Sequence, residues 1–288
     1  MARILFHIIK ATIRLLPEEV ALHLADVLGF IWFYLLPIRK KLVIEQLTAS
    51  FSGELSADKI HRITRNVFRN QCRNLIEFLR IDPDQPEKML DKIEVEGQEN
   101  LDKARSHQKG VLILTAHIGN YDLLACSQAL SGTPLVILSK TIKPAWLNDY
   151  WMKTRTACGM EILPTKDVKQ KLLDKLAQGK VIGFIFDQKM NGPKALQVPF
   201  FGKNCWTTSG LAELAILSGA PVLPVFIFRV PQGKHRTVIG SPLKITSSES
   251  FDERVLETTK TFQTELENAI SKHPDQWLWM HRRWAERR

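Results

Sequence analysis

An α/β fold, with a mostly parallel sheet sandwiched by helices, is what this sequence predicts beyond about residue 93. Short β-rich runs recur there, helical stretches alternate with them, and no linker divides the region. Ahead of it the chain is helical in rhythm and carries an N-terminal segment with the pattern of a membrane anchor.

The elements follow in order. The N-terminal stretch resembles an export signal, but His7, Lys10 and Arg14 interrupt its apolar run and no small-residue cleavage site follows, so export is not expected. On a helix, Arg3, His7, Lys10 and Arg14 fall within an arc of about 60°, with isoleucines and leucines over the rest. That is the pattern of a basic helix lying in a membrane interface. After Pro17, Val20 to Leu36 is a mostly apolar run with Trp32, Phe33 and Tyr34 near one end and Arg39, Lys40 and Lys41 just beyond. It is at the short edge of a spanning helix, and His23 and Asp26 would be costly in lipid, so spanning, interfacial and buried-core readings all stand. Residues 1–40 are therefore expected to form a membrane-associating helical segment and 41–288 one folded domain.

From Ala57 to Arg80 the spacing predicts a helix, with Arg62, Arg65, Arg69, Arg73 and Arg80 on one side and Ile60, Ile63, Val67 and Phe68 on the other. The arginine stripe reads either as a solvated face or as a surface for lipid headgroups or an acidic carrier protein. Strands are expected at Val111–Thr115, Leu135–Leu138, Val181–Phe186, Val222–Phe228 and Thr237–Ile239. Helices are expected at Tyr121–Leu130, Ala145–Cys158, Val168–Gln178, Thr208–Ser218 and Asp252–Ser271.

Composition narrows the function. The net charge of +10 draws polyanions: nucleic acid, an anionic membrane surface or an acidic protein. No nucleic-acid module is recognisable, which puts that partner last. Neither a G-x-x-x-x-G-K-[ST] nor a G-x-G-x-x-G occurs, and no G-x-S-x-G nucleophile elbow. Cys72, Cys126, Cys158 and Cys205 are too widely spaced for a CxxC pair, so no metal site is expected and the thiols are expected reduced.

The segment "HIGNYD", residues 117–122, places a histidine five residues ahead of an aspartate. Spacing alone decides little, because His281 and Glu286 repeat it. Within one helix the two side chains would stand about 140° apart and could not meet. They can meet if His117 ends a strand, Gly119 permits a turn, Asn120 caps a helix and Asp122 lies in its first turn. The carboxylate then fixes the imidazole tautomer, presenting a basic Nε2 able to deprotonate an alcohol attacking a carbonyl carbon. With no serine elbow in the chain, that alcohol is expected to belong to a substrate. The rival reading is a histidine merely satisfied at a strand end. His281, with no strand ahead and no glycine turn behind, reads as a tail residue.

Together with "FDQKMNGPKALQVPFFGKNCWTTSGLAELAILSGAPVLPVFIFR" (186–229) and the closing "WLWMHRRW", the box resembles the bacterial lipid A late acyltransferases, the lauroyl and myristoyl transferases. These lie within the wider lysophospholipid and glycerol-phosphate acyltransferase superfamily. The resemblance spans nearly the whole chain and implies a glycerol-phosphate acyltransferase-like fold, with 41–288 as the catalytic domain. It implies His117 as general base and Asp122 as its partner. Arg155 falls where the family has an arginine and is a candidate ligand for a phosphate of acceptor or donor. Asp187 falls where the family has an aspartate and is a candidate to position Arg155 or a substrate group. Ordinary alternatives are a surface arginine and a turn cap. Asn120, next to the base, joins these as a candidate substrate ligand. Thr207, Thr208 and Ser209 are expected to cap the next helix. Phe200 and Phe201 are candidates for an acyl pocket, or else core, and Trp32 is a candidate membrane contact. Trp277, Trp279 and Trp284, alternating with Arg282 and Arg283, suit a membrane interface or phosphate binding.

The resemblance further implies an enzyme on the cytoplasmic face of the bacterial inner membrane. It would acylate a hydroxyl of a lipid A precursor, or of a related lipid such as a lysophospholipid, glycerol phosphate or an aminolipid. The donor would be acyl carrier protein or coenzyme A thioester, with no metal or prosthetic group required. A non-catalytic lipid-binding protein of the same fold is the rival of different class. Two departures from the family pattern bear on the acceptor: many members carry glutamate where this chain has Asp122, and the chain is short for the group.

Overall fold

The computed structural model describes residues 2–192 and 195–286. Four helices come first: α1 (Ala2–Leu15), α2 (Glu18–Tyr34), α3 (Lys40–Ser50) and α4 (Ala57–Arg80). The α/β region then runs β1 (Ile93–Glu96), α5 (Gln98–Ser106), β2 (Val111–Thr115), α6 (Tyr121–Leu130), β3 (Leu135–Leu138), α7 (Ala145–Ala157), β4 (Glu161–Leu163), α8 (Lys169–Ala177) and β5 (Val181–Ile185). A hairpin, β6 (Ala195–Phe200) and β7 (Lys203–Thr208), precedes α9 (Gly210–Ser218), β8 (Val222–Arg229), β9 (His235–Ile239) and α10 (Phe251–Lys272).

Seven strands form one sheet in the order β1-β9-β8-β2-β5-β3-β4, and β6 and β7 pair apart from it. Every pairing in the large sheet is parallel except β8 with β9. The central strand β2 is buried along its whole length, which is why its sequence is apolar without alternation. Its side chains still divide by period two. Val111 and Ile113 face a core shared with α4, α6 and α7, whereas Leu112 and Leu114 face one shared with α8, α9, α10 and the tail tryptophans.

The expected strands and helices of the α/β region recur within a few residues of their predicted bounds. β1, β4, the β6–β7 hairpin, α3 and α5 were not foreseen. The strands β1 and β4 are only four and three residues long and carry little periodicity.

The N-terminal helices belong to the folded body. α2 crosses α4 at Gly29, where an added Cβ would lie 2.7 Å from Arg69 Cα, so the small residue permits the close approach. Asp26 receives two hydrogen bonds from Arg73, at 2.5 and 2.6 Å, and thereby resolves the cost of a carboxylate on this helix. Arg80 donates to the carbonyls of Ile13 and Leu16, tying α4 to the end of α1. The arginine stripe is therefore partly internal: Arg62 and Arg65 are exposed, while Arg69, Arg73 and Arg80 serve the helix packing. Trp32 packs edge-on against Phe68, with ring centroids 5.0 Å apart, so the candidate membrane contact is a helix-packing residue. Much of what remains outward is apolar: Ile4, Leu5 and Ile8 on α1, and Val27, Leu28 and Phe30 on α2, are all exposed, beside Arg3, His7, Glu19 and His23. No described helix is long and apolar enough to cross a membrane.

Candidate active site

β2 ends at Thr115 and the chain turns at Gly119, whose φ is +57°. A Cβ there would fall 2.0 Å from the carbonyl oxygen of Ile227, so glycine is required both by the backbone angle and by the space. Asn120 then caps α6, its Oδ1 accepting from Leu123 N at 3.3 Å, and Asp122 lies in the first turn. The local structure matches the sequence reading. The partner of the histidine does not.

His117 Nδ1 lies 2.9 Å from Asp187 Oδ1, and the backbone N–H of His117 donates to Asp187 Oδ2, also at 2.9 Å. The cause is strand register. β2 and β5 run parallel with Thr115 opposite Ile185, so two residues further on His117 comes opposite Asp187. Asp122 faces α7 instead. Its Oδ1 accepts from Arg155 Nε at 3.0 Å and Nη2 at 2.7 Å, and its Oδ2 accepts from Trp151 Nε1 at 3.3 Å. Arg155 Nη1 donates to Ser139 Oγ at 3.1 Å. The expected pairings are thus exchanged: Asp187 orients the histidine, and Arg155 is held by Asp122 rather than presented as a phosphate ligand.

Asp187 is fixed from a third side. Trp277 Nε1 donates to its Oδ2 at 2.7 Å, and the tail segment pairs with the histidine strand through Gly119 N to Gln276 O (3.0 Å) and Leu278 N to His117 O (3.0 Å). Burial pushes the Asp187 carboxyl up, but the His117 charge and the converging hydrogen bonds outweigh it and hold it down at about 2. Burial pushes His117 down, and the charge and hydrogen bond of Asp187 more than offset that, leaving its pKa raised. An ionised Asp187 on Nδ1 fixes the tautomer with the lone pair on Nε2. His117 keeps 14% of its side chain exposed against 3% for Asp187, so the imidazole is the member of the pair that a substrate can reach.

Asn120 is buried, and its amide donates to Glu77 Oε2 at 2.8 Å, leaving it a structural cap rather than a substrate ligand. Glu77 belongs to a buried cluster under the turn: Arg229 pairs with it and donates to Asn74 Oδ1 at 2.9 Å, His235 Nε2 lies 3.2 Å away, and Asn74 Nδ2 donates to the Gly119 carbonyl at 2.6 Å.

The remaining expectations shift towards packing. Phe200 is fully buried, stacked on Trp284 with centroids 5.6 Å apart, and is core rather than pocket wall. Phe201 packs between Phe51 and Trp279. Trp277 and Trp279 are fully buried too, so the tail aromatics face protein, not lipid. Arg283, also buried, donates to Trp206 O at 2.7 Å and to the Thr207 hydroxyl. Thr207 and Thr208 lie on β7, and Ser209 at the start of α9 makes no side-chain cap bond; Thr208 Oγ1 instead accepts from Gly210 N at 3.1 Å. His281, read as a tail residue, accepts the Lys189 N–H at Nε2 (3.0 Å) and so pins the loop after Asp187. The contact of Trp277 with Asp187 and the Glu77 cluster lie beyond the sequence reading. Asp187 directly follows the expected strand Val181–Phe186, but its register against His117 leaves no mark in the spacing.

A buried carboxylate locked on Nδ1 of a mostly buried imidazole, at the carboxyl end of a central parallel strand, is the framework of a general-base enzyme. Against known proteins the assignment becomes specific. The chain belongs to the bacterial lipid A biosynthesis acyltransferase family, whose model matches residues 2–286. It is 28% identical over 198 residues to the lipid A biosynthesis lauroyltransferase of Escherichia coli, covering 67% of this chain and 62% of that protein. It is 23% identical over 233 residues to a phosphatidylinositol mannoside acyltransferase of Mycobacterium tuberculosis, covering 80% and 69%. The crystal structure of the 1-acyl-sn-glycerophosphate acyltransferase of Thermotoga maritima aligns over 94% of this chain and 100% of that one, at 15% identity and a TM-score of 0.42.

Proposed function

We propose that this chain transfers a fatty acyl group from an acyl thioester to a hydroxyl of a lipid A precursor. The observation that carries the reading is the Asp187–His117 pair, which keeps the lone pair on Nε2, the atom that accepts a proton. His117 Nε2 takes the hydroxyl proton while the oxygen bonds to the thioester carbonyl carbon, whose π pair moves onto its oxygen. Collapse of that oxyanion re-forms the C=O bond and expels the thiolate, which takes the proton back from Nε2. The products are an ester and a free thiol.

Acyl carrier protein is the proposed donor. Such proteins are acidic, which suits the net charge of +10 and the exposed Arg62 and Arg65. The cytoplasmic face of the bacterial inner membrane is the proposed location. The exposed apolar side chains of α1 and α2, with exposed Arg39 and Lys41 beyond them, suit insertion into an anionic interface. α1 reaches towards the site through Phe6, which packs on Trp146 and Tyr150 of α7, the helix that carries Arg155. The likeness to a phosphatidylinositol mannoside acyltransferase supports a second acceptor class, a phosphoinositol glycolipid.

Mass spectrometry of lipid extracts from bacteria expressing the chain, beside cells expressing His117→Ala at matched levels, tests this. A His117-dependent gain of one acyl group on lipid A is expected. The same gain confined to a phospholipid or glycolipid overturns the acceptor, and no difference between the strains overturns catalysis.

A further inference from the structure

The nitrogen that does the chemistry has a neighbour that neither the fold nor the family assigns. Gln188 Nε2 lies 3.5 Å from His117 Nε2. Because Asp187 holds the proton on Nδ1, the His117 Nε2 lone pair faces an amide N–H of Gln188. A hydroxyl about to lose its proton to Nε2 must stand within about 3 Å of that nitrogen, which is where the Gln188 amide points. The place of the acceptor oxygen is marked by a side chain able to hydrogen-bond it.

The backbone around Gln188 is fixed on both sides. Asp187 is bound by His117 and Trp277, and Lys189 N donates to His281 Nε2 at 3.0 Å. Gln188 itself is only partly buried, so its amide is presented to the site on a rigid base. On another side of the imidazole the ring of Tyr121 packs edge-on, with centroids 4.7 Å apart at 79°, which restricts how the imidazole can turn.

Resting on the acyl-transfer reading above, we propose that Gln188 is a further catalytic residue: its amide holds the acceptor hydroxyl against His117 and then donates to the oxyanion of the tetrahedral intermediate. One geometry serves both roles. When the hydroxyl oxygen bonds to the carbonyl carbon, the developing oxyanion stands two bonds from that oxygen, within the sweep of the same side chain. The amide has two N–H donors, one for each oxygen. No proton leaves Gln188 in either role. The hydroxyl proton goes to His117 Nε2 and from there to the departing sulfur, and Gln188 contributes hydrogen bonds alone.

The test uses full-length protein in vesicles with an acyl thioester donor and a lipid hydroxyl acceptor, and two variants. Gln188→Ala is expected to lower kcat by about 10²–10³-fold, the usual cost of losing an oxyanion donor, with KM for the thioester little changed. Gln188→Glu keeps the shape, loses the donors and sets a negative charge beside Nε2. It is expected to move the acid limb of the kcat profile, and the ¹⁵N titration of His117, to higher pH. Ala-variant kcat within threefold of wild type, or a His117 titration unmoved in the Glu variant, overturns the proposal. The ¹⁵N titration needs no turnover, so it reads the Gln188–His117 contact even where no lipid is acylated. Failure of the acyl-transfer reading and failure of the Gln188 role are thereby distinguished.

Discussion

Asp187 and His117 lie 70 residues apart in sequence yet directly opposite one another across β5 and β2, joined twice at 2.9 Å, once through the ring and once through the backbone. The aspartate nearer in sequence, Asp122, instead holds Arg155. The two carboxylates therefore have separable roles. Asp187→Asn should lower kcat on the order of 10⁴-fold by favouring the wrong imidazole tautomer. Asp122→Asn should leave the His117 tautomer intact and act by releasing Arg155. Comparing the ¹⁵N shifts of His117 in the two variants, beside their kcat values, checks the division.

The pH dependence follows from the same pair. His117 must be neutral to act as a base, and its pKa is raised above the ordinary value of 6.5. Activity is therefore expected to fall with decreasing pH along an acid limb centred above 6.5. In Asp187→Asn the limb should move down, because the largest upward influence is gone. A kcat profile over the neutral range reads both.

Trp277→Phe removes one donor from a buried carboxylate and keeps most of the ring. We expect a loss of about 1.5–3 kcal/mol in stability, the net worth of a hydrogen bond to a charged group, with a fall in kcat. Urea unfolding and steady-state kinetics on the same preparation measure the two effects.

Gly119→Ala meets both a positive φ and a backbone oxygen 2.0 Å from the new methyl. It should destabilise by more than about 2 kcal/mol, or displace the turn and with it His117. Thermal unfolding distinguishes it from a control change at Gly132, where nothing lies within 4 Å but the φ is likewise positive.

Glu77→Gln breaks a buried ion pair and strands Arg229, with an expected cost of about 3–5 kcal/mol at neutral pH. Burial alone would push the Glu77 carboxyl up, but Arg229 and His235 hold it well below the ordinary 4.5. A depressed folded-state pKa contributes stability that is present above 4.5 and is lost as pH falls towards the folded value. The wild type should therefore lose stability on acidification below 4.5 more steeply than Glu77→Gln, as read from denaturant midpoints across that range.

Much of this was legible in the sequence because it depends on local chemistry. Alternating β and α runs gave the layers, and Gly119 followed by Asn120 gave the turn and cap beneath the histidine. The partner of His117 was not legible, since it comes from the register of two parallel strands and no spacing rule encodes that. For the same reason Arg155 was assigned to a phosphate when its nearest anion is Asp122. The alternation of the tail tryptophans with arginine suits a membrane interface or phosphate binding, and only the three-dimensional structure shows that their rings pack into the core under the site. The Glu77 cluster left no trace because its members come from α4, β8 and β9.

The bridge between Ile118 and Trp277 bears on the order in which the molecule is made. The strand carrying His117 leaves the ribosome long before the segment that fastens its aspartate. Until that segment emerges, the imidazole has its carboxylate neighbour without the indole that anchors it. Competence is thus timed by synthesis: the first helices and the histidine strand are already made while the base is still unlocked.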